Sequence, residues 1–118
     1  ATDSCSLGYI MTSPEGMITS SQQLFPTLKA SYCEWRINVK ASQRIKLWFD
    51  VLKLEGDWVR IRDGNDSSAR ELVYLTSADY DSFIISSSNV MYINYYHKGK
   101  WVNGTRRGFT ASYTTIGM

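Results

Sequence analysis

The sequence contains few side chains that could perform catalysis, and their spacing matches no familiar catalytic motif. His97 is the single histidine, and no nucleophile motif accompanies it, which argues against Ser-His-Asp and Cys-His chemistry. There is also no phosphate-binding loop, dinucleotide-binding glycine turn or metalloprotease helix. Glu55 and Asp57 could act as an acid–base pair, but carboxylates so close on a tight loop are more typical of a solvated turn or a cation site. We therefore expect a non-catalytic protein.

Cys5 and Cys33 are the two cysteines of the chain, and their chemistry depends on the compartment. Two unrelated buried thiols would be the default in the cytosol, whereas an oxidising compartment would favour a disulfide. Asn65 and Asn103 each begin an N-glycosylation tripeptide in a turn-like context, which favours a secreted chain. Two thiols and one histidine, far apart in sequence, give no zinc spacing. The balance favours an extracellular location.

Length and composition describe an ordinary globular chain. A chain of 118 residues is large enough for a single domain with one core. Hydrophobic residues make up 43% and charged residues 20%, which argues against disorder. The net charge of +2 is too small to indicate a nucleic-acid partner. No apolar stretch approaches the roughly 20 residues that a transmembrane helix needs, and residues 1–4 have no signal-peptide character. We expect no membrane insertion of this segment, and any secretion signal or anchor to lie outside it.

Alternating apolar and polar residues predict β-strands, which would position the charged and aromatic side chains of the chain. The clearest run, at 44–51, places four apolar residues on one face: Ile45, Leu47, Phe49 and Val51. The preceding segment does the same with Cys33, Trp35, Ile37 and Val39. The polar turn at 41–43 between them predicts an antiparallel hairpin.

Five shorter runs complete the pattern, at 59–61, 72–75, 83–85, 91–95 and 109–113. Segments rich in Ser, Asp, Gly and Asn separate them, and the serine run at 86–88 is expected to cap backbone groups. Short strands at this spacing predict an all-β sandwich or barrel.

Six segments occur in a characteristic order and spacing, although none is diagnostic by itself. They are Cys5 with GYIMTSP at 8–14, CEWRI at 33–37, LKLE at 52–55, DWVRIRDG at 57–64, ISSSNVMYI at 85–93 and GFTASY at 108–113. Together they resemble a CUB domain from Cys5 to Tyr113. The resemblance implies a single domain over 1–118, with a core at 5–113 and flanks at 1–4 and 114–118.

The resemblance further implies an extracellular, jelly-roll-like β-sandwich of about ten short antiparallel strands that recognises other proteins. In this family the first two cysteines pair, so a Cys5–Cys33 disulfide is implied, with Trp35 in the core nearby. Such a bridge would constrain the unfolded chain by about 3.5 kcal/mol.

The sequence departs from the family pattern at two points. Most CUB domains carry a second disulfide, whose cysteines are both missing here, and Leu75 can supply apolar packing in its place. Many members also hold calcium with a Glu and two Asp residues. Glu55 and Asp57 match the first two ligands, but Lys98 falls closest to the third position, and an ammonium would repel the ion. The resemblance therefore implies a degenerate site with no metal expected, in which Lys98 could instead form a salt bridge.

The basic loop at 97–107 suggests where a partner would bind. It combines cationic side chains with Trp101, a mixture typical of binding hot spots, although Trp101 could equally tuck under the loop. The candidate binding edge comprises Glu55, Asp57, His97, Lys98, Lys100, Trp101, Arg106 and Arg107.

Three functions remain open for such a module. The leading hypothesis is a protein-recognition module whose partner is an extracellular protein or a neighbouring domain. The second is a carbohydrate or glycosaminoglycan binder of spermadhesin type, and the third is a spacer domain. Trp48 and Trp58 point outward by strand parity, which fits a ligand-binding face or a surface covered by a neighbour.

Overall fold

Two β-sheets pack face to face in the computed structural model of the chain, which describes residues 9–20, 31–54, 56–77, 79–97 and 108–117. Within these residues there are nine strands and no helix. The strands are β1 (Tyr9–Met11), β2 (Glu15–Thr19), β3 (Ser31–Asn38), β4 (Gln43–Lys53), β5 (Trp58–Asp63), β6 (Arg70–Leu75), β7 (Ile84–Ile85), β8 (Val90–His97) and β9 (Gly108–Gly117). The all-β sandwich that the sequence predicts is therefore confirmed.

The strand order brings together segments that are far apart in sequence. The five-stranded sheet has the order β1-β3-β8-β5-β6, and the four-stranded sheet has the order β2-β9-β4-β7. β1 and β3 are parallel, whereas the other pairs are antiparallel. β3, β8 and β5 lie side by side, so their outward-facing residues form one continuous surface.

Inward-facing residues of both sheets form a single core. The predicted inward set on β3 and just after it is buried: Cys33, Trp35, Ile37 and Val39. The Trp35 ring of one sheet meets the Phe109 ring of the other edge-to-face, with centroids 5.5 Å apart. Burying an aromatic side chain of this kind contributes about 1.5–3 kcal/mol, so this contact helps to hold the sheets together. Leu75 is also buried in this core, as expected from its sequence position.

The predicted hairpin between β3 and β4 is wrong. β3 pairs with β1 and β8, whereas β4 pairs with β9 and β7, so the turn after β3 carries the chain from one sheet to the other. The Gln43 N–H donates to the Lys40 carbonyl within this turn. Alternation identified the inward faces of β3 and of the first part of β4, but these faces meet across the core and do not lie side by side in one sheet.

The predicted inward position of Val51 is also wrong. The register of β4 against β9 shifts between Phe49 and Val51, where a β-bulge inserts one extra residue. This bulge reverses the alternation, so the Val51 side chain is 45% exposed. Leu52 and Leu54 pack against the core instead.

The serine run before β8 caps backbone groups, as the sequence predicts. The Ser86 hydroxyl accepts the Ile45 N–H at 2.8 Å and donates to the Ser88 carbonyl at 2.6 Å. The Ser86 N–H donates to the Ile45 carbonyl. β7 ends at Ile85, and Ser86, the next residue, therefore extends the hydrogen bonding between β7 and β4 by one residue.

Candidate functional site

Asp57 lies at one end of the five-stranded sheet, directly before β5. Its side chain is almost completely shielded from water, with a residue exposure of 1%. The Tyr95 hydroxyl donates a hydrogen bond of 2.9 Å to Asp57 Oδ2. A buried carboxylate needs such donors because it has lost its hydration. The interpretation of Asp57 as part of a solvated turn is therefore wrong, because Asp57 is anchored in the core.

The structure places part of the predicted binding edge at this end of the sheet. Trp58, the residue after Asp57, pairs with Tyr96, and His97 follows Tyr96 and pairs with Ser31. The backbone of His97 therefore lies on the strand next to Asp57. The other predicted edge residues lie outside the described residues: Glu55, Lys98, Lys100, Trp101, Arg106 and Arg107. Their part in the edge remains a prediction.

Four aromatic rings gather on the outer face of the sheet beside Asp57, and we call them the aromatic cluster: Tyr32, Trp58, Tyr74 and Tyr96. The Trp58 ring is central. Its centroid lies 5.7 Å from that of Tyr96 in a stacked arrangement, 6.0 Å from Tyr32 edge-on and 5.9 Å from Tyr74. The cluster crosses four neighbouring strands, β3, β8, β5 and β6.

Sequence reasoning identified Trp58 as outward-facing but missed the three tyrosines around it. Strand parity could have placed each ring on an outer face, since each is adjacent on its strand to a buried residue: Cys33, Val59, Leu75 or Tyr95. Parity does not give the strand order, however, and the cluster exists only because β8 lies between β3 and β5. Tyr32 and Tyr74 are 41% and 43% exposed, so the cluster is open to solvent.

Arg60 extends the aromatic cluster with a cation. Its guanidinium lies over the Tyr74 ring at 4.4 Å and over the Trp58 ring at 5.2 Å from the centroids. Its Nε is 3.1 Å from Glu71 Oε1 on the neighbouring strand β6. Cation–π contacts of this kind contribute about 0.5–1 kcal/mol at partly exposed sites. Arg60 is thus held over the rings on its own sheet.

A second arginine lies further along the same face. The Arg36 guanidinium lies over the Tyr92 ring at 4.8 Å, and its Nε donates to the Asn65 carbonyl at 3.0 Å. The Tyr92 hydroxyl donates to Glu34 Oε1 at 2.9 Å, and Glu34 is also 3.8 Å from Arg36. Aromatic and arginine side chains therefore lie next to each other on this outer face.

The electrostatic surroundings of Tyr32 reflect this arrangement. Burial and the neighbouring Tyr92 and Glu34 raise the pKa of Tyr32, against the lowering effects of Arg60 and Arg62. The Tyr32 side chain therefore responds to charges on other strands of the sheet. Since its pKa is raised, its hydroxyl is a neutral hydrogen-bond donor at physiological pH.

Comparison with known protein families matches residues 5–113 to the CUB domain. The chain belongs to the CUB domain family. Pig cubilin (Sus scrofa) is 33% identical to this CUB domain over 109 residues, and dog cubilin (Canis lupus familiaris) is 34% identical over 109 residues. Both alignments cover 86% of this chain but 3% of the cubilin sequence, so the chain spans a small part of these relatives.

Solved structures share the fold of this CUB domain. The MASP-1 CUB2 domain bound to Ca²⁺ aligns with a TM-score of 0.71 and 22% identity, over 93% of this chain and 99% of that one. The full extracellular region of zebrafish Gpr126/Adgrg6 aligns with a TM-score of 0.72 and 20% identity, over 96% of this chain and 15% of that one. At 20% and 22% sequence identity, these two comparisons show a shared fold and nothing more. Among the described residues, no helix is long and apolar enough to cross a membrane.

The metal and disulfide predictions for this CUB domain depend on residues outside the described ranges. Asp57 is described, but Glu55 and Lys98 are not, so the degenerate calcium site remains a prediction. Within the described residues no group of three or more His, Cys, Asp or Glu side chains could hold a metal ion. Cys33 is completely buried on β3, and its pairing with Cys5, which is not described, also remains a prediction.

One of the two predicted glycosylation positions is described. Asn65 is exposed on the turn after β5, where its carbonyl accepts the Arg36 hydrogen bond. In the same turn Asp66 Oδ1 accepts the Ser68 N–H at 2.9 Å, the local hydrogen bond that aspartates form in turns. Asn103 lies outside the described residues. Occupancy of either position remains a prediction.

The outer face of the four-stranded sheet of this CUB domain is different in character. Trp48 is half-buried and meets the Phe83 ring edge-on at 5.9 Å, and Lys46 Nζ lies 4.1 Å from the Phe83 centroid. Met17, Phe83 and Ile85 are exposed there. Trp48 thus lies on an outer face as parity predicts, but Phe83 covers part of it.

Proposed function

We propose that this CUB domain is a non-catalytic protein-recognition module that forms part of a larger secreted or cell-surface protein. Family membership supports this role, because CUB domains are typically extracellular interaction modules within larger proteins. The length of the cubilin relatives supports it as well, since one CUB domain occupies a small fraction of each.

The observation that carries the proposal is the aromatic cluster beside Asp57. Tryptophan, tyrosine and arginine are the residues most enriched in the energetic centres of protein interfaces. Here Tyr32 and Tyr74 are exposed, Trp58 and Tyr96 are half-buried between them, and Arg60 lies over the rings of Trp58 and Tyr74. Contiguous aromatic patches of this kind usually mark interaction sites.

The proposed binding surface includes the sequence-predicted edge. His97, the first residue of the basic segment at 97–107, follows Tyr96 directly and ends β8 beside the aromatic cluster. A partner that contacts the cluster could therefore also contact Lys98, Lys100, Trp101 and the two arginines of that loop. We propose that this contact needs no calcium, because Lys98 takes the place of the third carboxylate ligand.

A cell-surface binding assay tests the proposed function. Fluorescently labelled CUB domain is added to a panel of cells, with and without prior trypsin or heparinase treatment, in calcium and in EDTA. We expect saturable binding that trypsin abolishes and that heparinase and EDTA leave unchanged. Loss of binding after heparinase would favour the glycosaminoglycan function, and absence of saturable binding throughout the panel would favour a spacer domain.

A further inference from the structure

We propose that the outer face of the five-stranded sheet is the docking surface for an acidic segment of a partner protein. This inference rests on the proposed function and specifies the partner chemistry. The surface, which we call the aromatic–arginine face, consists of the aromatic cluster together with Arg36, Arg60 and Arg62.

Strand register places these side chains in adjacent rows. Tyr32, Tyr96 and Trp58 occupy one row across β3, β8 and β5. In the next row Arg60 pairs with Asn94 on one side and with Tyr74 on the other. Neighbours of this kind on one face lie about 5 Å apart, so the rows form one surface without intervening loops.

A third row continues the same surface toward the Asn65 turn. It contains Arg36, Tyr92 and Arg62, which are paired across β3, β8 and β5. Three guanidinium groups therefore lie on the outer sides of β3 and β5. The row of Arg60 and Tyr74 lies between this third row and the row of Tyr32, Tyr96 and Trp58.

The face itself carries three guanidinium groups and two carboxylates, and a third carboxylate, Asp66, interacts with Arg36 from the neighbouring turn. The two carboxylates of the face already have partners, since Glu34 accepts the Tyr92 hydroxyl and lies near Arg36, and Glu71 lies beside Arg60. Arg62 instead donates to a backbone carbonyl, that of Ala69, at 2.9 Å. One guanidinium charge is therefore left without a carboxylate among the described residues.

Hydrogen-bond donors exceed acceptors at the centre of the face. Among the described residues of this face, three buried nitrogen atoms have no acceptor: Arg60 Nε, Arg62 Nε and Asn94 Nδ2. Arg60 Nε is close to Glu71, but the geometry of that ion pair does not form a hydrogen bond. Buried donors without acceptors cost about 1–3 kcal/mol each, so the centre of the face is short of acceptors. A carboxylate is the acceptor that guanidinium groups bind best.

The ring geometry favours a protein segment over a sugar. A sugar ring stacks on an open aromatic face, but the guanidinium of Arg60 lies over the faces of both Trp58 and Tyr74. Tyr96 stacks on Trp58, and Tyr32 meets it edge-on. The surface thus presents the N–H groups of Arg60 beside the rings of Trp58 and Tyr74. Acidic side chains with adjoining apolar groups are complementary to such a surface.

Peptide titration by NMR tests the docking surface directly. The ¹⁵N-labelled full chain is titrated at low ionic strength with a blocked pentaglutamate peptide, with blocked pentaglutamine as the uncharged control. We expect pentaglutamate to shift the Trp58 indole and the Arg60 and Arg62 Nε–H signals, and pentaglutamine to shift none of them. The Arg60→Gln variant should weaken pentaglutamate binding about three- to tenfold.

A matched variant controls for net charge. Lys53→Gln removes the same single charge from an exposed position on the four-stranded sheet, and it should leave pentaglutamate binding unchanged. Tyr74→Ser provides a second test in case Arg60→Gln perturbs folding, because Tyr74 is exposed and supports Arg60. Tyr74→Ser should weaken pentaglutamate binding by the same factor as Arg60→Gln.

Three results with the two peptides and the Lys53→Gln control would overturn the docking surface. They are equal shifts with pentaglutamine, pentaglutamate shifts confined to the 97–107 loop or the four-stranded sheet, and equal loss of binding in Lys53→Gln. Shifts of this face by a heparin oligosaccharide with none by pentaglutamate would also overturn it. Protease-sensitive cell binding that persists at full strength in Arg60→Gln would refute the acidic docking surface and leave the proposed function intact. Absence of such binding in the unmodified domain would refute the proposed function itself.

Discussion

The Tyr95 hydroxyl donates a hydrogen bond to Asp57 Oδ2 at a position where water is excluded. This contact joins β8 to the residue directly before β5, beneath the aromatic cluster. The Tyr95 ring also meets Phe109 of the other sheet edge-to-face, at 5.5 Å between centroids. The binding surface is therefore supported from the core by a buried polar contact.

Removing this hydrogen bond should destabilise the domain. Tyr95→Phe keeps the ring but deprives the buried carboxylate of one donor, which should lower the free energy of unfolding by about 1–3 kcal/mol. Urea unfolding followed by tryptophan fluorescence measures the change. Tyr96→Phe, which removes a hydroxyl from the half-buried neighbouring residue, is the matched control and should have a smaller effect. Equal stability of Tyr95→Phe and the parent would contradict this view of Asp57.

Asp63 should make stability depend on pH in the acid range. Burial raises the pKa of Asp63, but hydrogen bonds from the Ser87 backbone and hydroxyl and the guanidinium of Arg70 lower it below its ordinary value of 3.8. The charged form is thus favoured in the folded state. Its stabilising effect should be present above about pH 4 and be lost as the pH falls through the lower folded value.

Urea unfolding of Asp63→Asn across this pH range checks the effect. The variant should be less stable than the parent at neutral pH, and the difference should shrink as the pH falls. Asp79→Asn, which alters an exposed aspartate, is the control and should show little difference at neutral pH. A stability difference for Asp63→Asn that stays constant down to about pH 2 would contradict the assignment.

Gly108 should not tolerate a side chain. Its φ of 134° is a conformation that L-residues with a Cβ rarely adopt, and a Cβ there would overlap with Ser20 Oγ. We expect Gly108→Ala to lower the free energy of unfolding by about 2 kcal/mol or more. Gly117→Ala is the control, since a Cβ at that position would have nothing within 4 Å, and it should be near neutral. Comparable unfolding curves for the two variants would rule out this constraint.

The bulge in β4 predicts a small effect of truncating Val51, in contrast to the large effect expected at Val59 on β5. Val59→Ala creates a cavity in the core and should cost about 2 kcal/mol, because Val59 is completely buried. Val51→Ala should cost less than about 0.5 kcal/mol, because Val51 faces solvent after the bulge. Thermal unfolding of both variants gives the comparison. A large loss for Val51→Ala would show that the alternation continues through β4.

Reduction should test the predicted Cys5–Cys33 disulfide. Opening a bridge between these positions should remove about 3.5 kcal/mol of stability and lower the melting temperature by many degrees. Differential scanning fluorimetry with and without a reductant measures the shift. Cys5→Ser should reproduce the low melting temperature and make it insensitive to reductant. An unchanged melting temperature on reduction would exclude the bridge.

The sequence by itself determined the fold class and most of the inward positions. Successive side chains of a strand point to opposite faces, so a strand with one face in the core alternates apolar and polar residues. The alternation on β3 therefore predicted that Cys33, Trp35 and Ile37 are buried. The six ordered segments also identified the family that the comparison with known proteins confirms. The sequence likewise indicated that Trp48 and Trp58 lie on outer faces.

The tertiary structure decided which strands are neighbours and where the alternation breaks. Pairing depends on contacts between distant segments, so local sequence could not show that β3 lies beside β8 and not beside β4. For the same reason it could not reveal that Tyr32, Trp58 and Tyr96 share one row, or that Asp57 is buried under it. The bulge that exposes Val51 is likewise set by register against β9, because a one-residue shift exchanges the two faces of a strand.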